Sequence, residues 1–193
     1  MCVFGTSAWA LDVKDGVYQI GTAEGLVAFS ELVNGGETLA NAVLTADIDM
    51  TNESANFLPV GSEANPYSGT FDGQGHRISN LNISLHQDLV GLFGVIKTPA
   101  VIKNLIIDES CSIEGGDQYC GMIGIAMSPE RSGDVYLENL GMEGNITLSG
   151  KNGAGIIASI YNHNFTCHLK NCYVTGNVNS GGKSGLLVGW AGD

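Results

Sequence analysis

A short phrase of small and apolar residues occurs four times in this chain. It reads Val90-Gly91-Leu92-Phe93-Gly94, Cys120-Gly121-Met122-Ile123-Gly124, Ala154-Gly155-Ile156-Ile157-Ala158 and Ser184-Gly185-Leu186-Leu187-Val188-Gly189. Its leading glycines stand 30, 34 and 30 residues apart. Self-similarity at such a period is the mark of a stacked repeat architecture. A stack is a scaffold first, so chemistry has to be argued from its sites and not from the repeat.

A second phrase travels with the first. Val101-Ile102-Lys103-Asn104-Leu105-Ile106-Ile107 returns as Leu137-Glu138-Asn139-Leu140-Gly141-Met142 and Leu169-Lys170-Asn171-Cys172-Tyr173-Val174. Upstream, Ile78-Ser79-Asn80-Leu81-Asn82-Ile83 carries the same Asn-Leu core. A weaker phrase follows each: Cys111-Ser112-Ile113, Asn145-Ile146-Thr147 and Asn177-Val178-Asn179. These apolar runs are short and bounded by Gly, Asn, Ser and Asp, so they read as strands. Three strands per period, each lying on its counterpart in the next, predict an all-β chain. The expected form is a right-handed parallel β-helix of about 30 residues per coil. In that geometry Asn serves corners, because it tolerates the left-handed region and its amide bonds nearby backbone. Glycine serves where the chain turns or a Cβ would clash.

The ends differ from the middle. Thr22 reads as the N-cap of a helix over about 22–34, with Leu26, Phe29, Leu32 and Val33 on one face and Gly35-Gly36 as its stop. Leu44 to Met50 alternates as one half-exposed strand, followed by a loop from Thr51 to Tyr67 and a strand-turn-strand through Gly69 to His76. A helix ahead of a stack reads as its cap. The expected organisation is a signal-peptide remnant over 1–10, a cap and first strands over 11–88, and repeats over 89–193. Met1 to Ala10 carries no charge and ends Ala8-Trp9-Ala10, the pattern of a cleavage site. The fourth glycine phrase opens a coil just before Asp193, so further domains are expected downstream.

The chain has 193 residues, 44% of them apolar, and a net charge of −12. That composition supports a folded core, and it shows no basic stripe for nucleic acid or an anionic membrane. No apolar run approaches the roughly 20 residues of a spanning helix. The acidity suits an exported protein or weak Ca²⁺ binding without selecting either, and no cofactor is expected. Cys111, Cys120, Cys167 and Cys172 permit two disulfides in an exported protein, and Cys111–Cys120 is one loop they could close. Cys120 and Cys172, however, occupy repeat positions that elsewhere hold Val and Leu, which points to buried free thiols.

Pro66-Tyr67-Ser68-Gly69-Thr70-Phe71-Asp72-Gly73-Gln74-Gly75-His76-Arg77-Ile78-Ser79-Asn80-Leu81-Asn82-Ile83, followed by the phrase at Val90, resembles the GLUG-motif repeat proteins of bacteria. Tyr18 to Met50 is similar to the segment that often precedes those repeats. The resemblance spans about residues 16 to 190. It implies export, presentation at the cell surface, and a stalk or binding module whose partners are glycans or extracellular proteins. Some members flank the catalytic domain of immunoglobulin-A-cleaving metallopeptidases, but this chain has no H-E-x-x-H pattern and the family lends it no catalytic residue.

Asp47, Asp49, Asp72 and His76 are the residues closest to a catalytic or Ca²⁺ constellation, since β-helix lyases and hydrolases work with acids on one sheet face. Turn and solvated-strand roles are the expected reading of these residues, since Asp-Gly is itself a turn signal. His86, His163 and His168 do not cluster with them in sequence. Gly181-Gly182-Lys183-Ser184 fails as a P-loop, because Asn177 stands where Gly is needed and a strand follows. The sequons at Asn52, Asn82, Asn145 and Asn164 follow from composition. Tyr161, Phe165 and Tyr173 are expected in core or corner packing, with sugar stacking as the alternative. The functional expectation is a non-catalytic surface repeat module. The alternatives are a carbohydrate-active β-helix enzyme or the flank of a surface peptidase.

Overall fold

The computed structural model describes residues 11–85, 87–116, 118–128, 133–161 and 165–192. The signal-peptide reading of 1–10 therefore lies outside the described residues. The chain opens with a hairpin of β1 (Asp12–Lys14) and β2 (Val17–Ile20). Its two-residue turn is Asp15-Gly16, both at positive φ, as the tight hairpin turn demands. Every other strand pair between the described elements is parallel.

Helix α1 (Ala23–Asn34) follows, and Thr22 Oγ1 accepts the Gly25 N–H at 3.1 Å to cap it. Its stop is Gly35-Gly36, where Gly36 takes φ 121°. Leu26, Phe29 and Val33 are fully buried. The Phe29 ring packs against Tyr18, Tyr67 and Phe71 with centroids 5.8–6.2 Å apart. The helix thus drives an aromatic wedge into the interior of the first turns.

The chain then winds as a parallel β-helix of about five turns. The first turn holds β3 (Asn41–Leu44) and β4 (Ile48–Asp49), then a 3-10 turn at Ser54–Asn56. It is completed by Val60 and Tyr67, which bridge to Phe93 and Ile96. The second turn has β5 (Thr70–Asp72), β6 (Arg77–Ser79), β7 (Asn82–Ser84), β8 (Leu89–Val90) and β9 (Phe93–Lys97). The third has β10 (Val101–Ile107), β11 (Ser112–Gly115), β12 (Tyr119–Cys120) and β13 (Ile123–Met127). The fourth has β14 (Val135–Met142), β15 (Asn145–Leu148), β16 (Asn152–Ala154) and β17 (Ile157–Tyr161). The fifth has β18 (Cys167–Lys170), β19 (Tyr173–Val174), β20 (Val178–Ser180), β21 (Lys183–Gly185) and β22 (Val188–Gly192).

Register turns these strands into columns. Phe71, Ile102, Leu137 and Leu169 stack inward, as do Ile83, Ile113, Ile146 and Val178. Apolar columns of this kind form one continuous core from Ile20 to Ile157.

Three expectations change. Each full turn has four strand faces, not three, because the glycine phrase bends at its centre: Gly121-Met122 separates β12 from β13. The last copy bends likewise at Leu186-Leu187 and does not run on as one strand. Leu44 to Met50 is two strands broken at Thr45–Asp47. Alternating burial survives that corner, which is why the pattern looked unbroken.

The phrase glycines are explained by close approach, and none of them has positive φ. A Cβ on Gly121 would sit 2.7 Å from the Ala154 carbonyl oxygen of the next turn, and one on Gly155 2.7 Å from that of Leu186. The second glycine faces the preceding turn: a Cβ on Gly124 would lie 2.6 Å from the Gly94 oxygen. The phrase is therefore a pair of contact points, one to each neighbouring coil.

Candidate functional site

The asparagines behave differently from the glycines. Asn104, Asn139 and Asn171 adopt φ 53–55° and stand over one another. Asn171 Nδ2 donates to Asn139 Oδ1 at 3.1 Å, Asn139 to Asn104 at 2.7 Å, and Asn104 to Asp72 Oδ1 at 2.9 Å. The ladder ends on Asp72, whose ionised carboxylate only accepts. Asn80 does not belong to this ladder, contrary to the sequence alignment. Ser112 pairs with Asn82, so Asn80-Leu81 aligns with Ser110-Cys111 at another corner.

The same sheet carries a partly exposed column of alternating charge: Asp72, Lys103, Glu138 and Lys170. Lys103 Nζ lies 3.4 Å from Asp72 Oδ2. Burial pushes the Asp72 carboxyl up, but Asn104, the Gln74 N–H and Lys103 outweigh it, and its pKa is lowered. Beside this column Tyr136 and His168 stack face to face, centroids 4.6 Å apart at 6°. Asp134 Oδ2 accepts from His168 Nε2 at 3.0 Å. That bond and the Thr166 N–H hold the Asp134 pKa below its ordinary value. Arg77, Glu143 and Tyr173 form a bridge across turns, with Glu143 accepting from the Arg77 guanidinium and from Tyr173 Oη at 2.7 Å.

The four sequence candidates occupy one region but take separate partners. Asp47 Oδ1 accepts the Arg77 N–H at 3.0 Å and meets His76 Nδ1 at 3.0 Å. Asp49 Oδ1 accepts from the Thr51 hydroxyl and from Asn80. Both carboxyls are held low, Asp47 chiefly by the Arg77 N–H and Asp49 chiefly by Thr51. Only Asp47 and His76 are brought into contact. His86, His163 and Asn164 lie outside the described residues. Among the described residues no group of three or more His, Cys, Asp or Glu side chains is placed to hold a metal ion.

All four cysteines from Cys111 on are free thiols. Burial pushes the Cys111 pKa up to about 11, and those of Cys120 and Cys167 up to about 12. Neither Tyr161 nor Tyr173 is a core residue: they are 43% and 40% exposed, while Phe165 packs in part against the core.

Two of the surface grooves differ sharply in lining. One, of about 590 Å³, runs between the end of α1 and the loop at Gln87–Leu89, with Leu58, Pro59, Glu63 and Asp88 in its walls. The other, of about 290 Å³, is lined by Tyr119, Lys151, Asn152, Gly182, Lys183 and Trp190. Sequence reading missed it, having weighed Lys183 only as part of a phosphate loop. The signal that would have found it is the register, which sets Tyr119, Asn152 and Lys183 one repeat apart.

No family model matches the chain. An alignment of 85 positions, covering 38% of this chain, shows 36% identity to halomucin of Haloquadratum walsbyi. That match spans 1% of halomucin's length. Among solved structures the chain is similar to a Bacteroides ovatus protein provisionally described as an immunoglobulin A1 protease. The TM-score is 0.56 at 17% identity, covering 89% of this chain and 70% of that one. At such identity the likeness concerns the β-helix fold. Among the described residues no helix is long and apolar enough to cross a membrane.

Proposed function

We propose that this chain is a non-catalytic, extracellular repeat module of a larger bacterial surface protein, serving as an adhesin-like unit or stalk. The observation that carries the reading is how the repeat phrases are spent. Their glycines meet neighbouring carbonyls and their asparagines form a ladder, so the signature residues build the stack. The candidate acids Asp47, Asp49 and Asp72 each accept from their own set of donors, which is the pattern of turns tied from coil to coil. The halomucin match adds support, since that relative is named as a mucin. The GLUG-like phrases of the chain itself support the same reading.

A second reading, the non-catalytic flank of a surface peptidase, draws on the fold shared with the Bacteroides ovatus protein. Incubating the purified chain with immunoglobulin A and with a panel of polysaccharides tests the non-catalytic claim. No new fragments are expected by mass spectrometry. Fragments that disappear with Asp47→Asn or His76→Ala would establish an enzyme instead.

A further inference from the structure

The groove at Trp190 is assembled from three turns. Tyr119 of β12, Asn152 of β16 and Lys183 of β21 follow one another in register, and Trp190 enters from β22 on the adjoining face. Lys183 Nζ stands 5.8 Å from the Trp190 ring centroid. Tyr161 lies beyond the indole, its centroid 6.5 Å away. Lys151 brings a second ammonium to the same groove. Two of the chain's eight Lys and Arg residues thus meet at one small aromatic site, on a molecule of net charge −12.

Asn152 supplies an independent observation. It is only 7% exposed, yet its side-chain amide makes no hydrogen bond to the described residues; its backbone N–H alone bonds Gln118 O at 2.7 Å. Asn152 is one of the residues that line the groove. A buried amide is costly unless its hydrogen bonds are completed.

We propose that this groove binds a carboxylated sugar residue. The aromatic surfaces of Trp190 and Tyr119 offer a platform for a sugar's C–H face, as amphipathic rings do at wet binding sites. Lys151 and Lys183 act as point charges for its carboxylate, and the Asn152 amide exchanges hydrogen bonds with hydroxyls. The groove's size suits one sugar unit and not a folded partner. The surrounding negative charge disfavours densely charged polymers such as nucleic acid, and leaves short acidic glycans as the match. The larger groove also has a buried amide oxygen, that of Asn34, but its charged walls are Glu63 and Asp88 and no aromatic ring lines it, so it suits no anionic sugar. The proposal rests on the surface-module reading and names the ligand class of that module.

The test is a titration of the full chain, read by tryptophan fluorescence and saturation-transfer NMR. The probes are trigalacturonate, a hyaluronan tetrasaccharide and sialyllactose, with cellotetraose and lactose as neutral controls. The expected result is a Kd of about 0.1–1 mM for at least one carboxylated sugar and no saturation by the neutral ones. The uronate and sialate arms identify the source of the carboxylate. Lys183→Glu with Lys151→Glu, both exposed and checked by circular dichroism, is expected to weaken binding at least about tenfold; Trp190→Phe should weaken it less. The proposal is overturned if no carboxylated sugar binds up to about 10 mM. It is equally overturned if neutral sugars bind as well, if the double lysine variant binds unchanged, or if oligonucleotide or polyglutamate binds more tightly. Lack of binding leaves the stalk reading standing. Cleaved sugar in the same samples would overturn the non-catalytic reading and leave the groove assignment intact.

Discussion

The side-chain amide of Asn139 donates to Oδ1 of Asn104, 2.7 Å away and one turn back along the stack. Both residues hold the left-handed backbone conformation, φ 54° and 55°. The bond therefore joins two corners that only Asn or Gly adopts cheaply.

That geometry separates two contributions. Asn139→Gly removes the ladder bonds but keeps the permitted φ. Asn139→Ala removes them and adds the left-handed cost, about 1–2 kcal/mol for a residue with a Cβ. In urea unfolding Ala should be the more destabilising of the two. Equal losses would show that the ladder bonds alone matter.

The glycine phrase predicts a steric effect. Gly121→Ala places a methyl 2.7 Å from the Ala154 carbonyl oxygen, which is backbone and cannot swing aside. A loss of about 1–3 kcal/mol is expected in thermal or urea unfolding. By contrast, Gly16→Ala meets no atom within 4 Å but sits at φ 78°, so its cost is conformational and smaller.

Much of this stack could be read in the residues alone. The period was visible because every turn must present the same small residue to its neighbour, as Gly91, Gly121 and Gly155 do. Asn104, Asn139 and Asn171 were legible as corners because few residues tolerate that φ. Asn80 misled because alignment by identity placed it with Asn104, whereas strand register sets Asn80-Leu81 against Ser110-Cys111. The Trp190 groove stayed hidden because its residues are unlike one another and come together only through stacking. Asp47 and His76, by contrast, were singled out and do meet, but as a tie between adjacent corners.

Acid should weaken the stack through its carboxylates. Asp134 and Asp47 have folded-state pKa values below the ordinary one, so the unfolded chain takes up protons first as pH falls. Their stabilisation is complete above the unfolded pKa and is lost as pH drops through the folded one, a window that begins at the ordinary carboxylate value and extends below it. Asp134→Asn is expected to lower Tm at pH 7, and its gap from the parent should narrow as pH falls below the ordinary carboxylate value. A gap that does not narrow would assign the loss to something other than ionisation.

Thiol reactivity should track burial. Cys111 and Cys120 are 1% and 0% exposed, and burial holds their thiols protonated. At pH 8 neither should react with a disulfide reagent until denaturant is added, whereas the half-buried Cys172 should react sooner. Tm should be the same with and without reductant, because no disulfide contributes.

A surface module of the kind proposed must be displayed outside the cell. Biotinylation of intact source cells with a membrane-impermeant reagent, followed by recovery of the chain with a specific antibody, measures it directly. Labelling before lysis, abolished by external protease, is the predicted result. A chain that is labelled only after the cells are opened would contradict it.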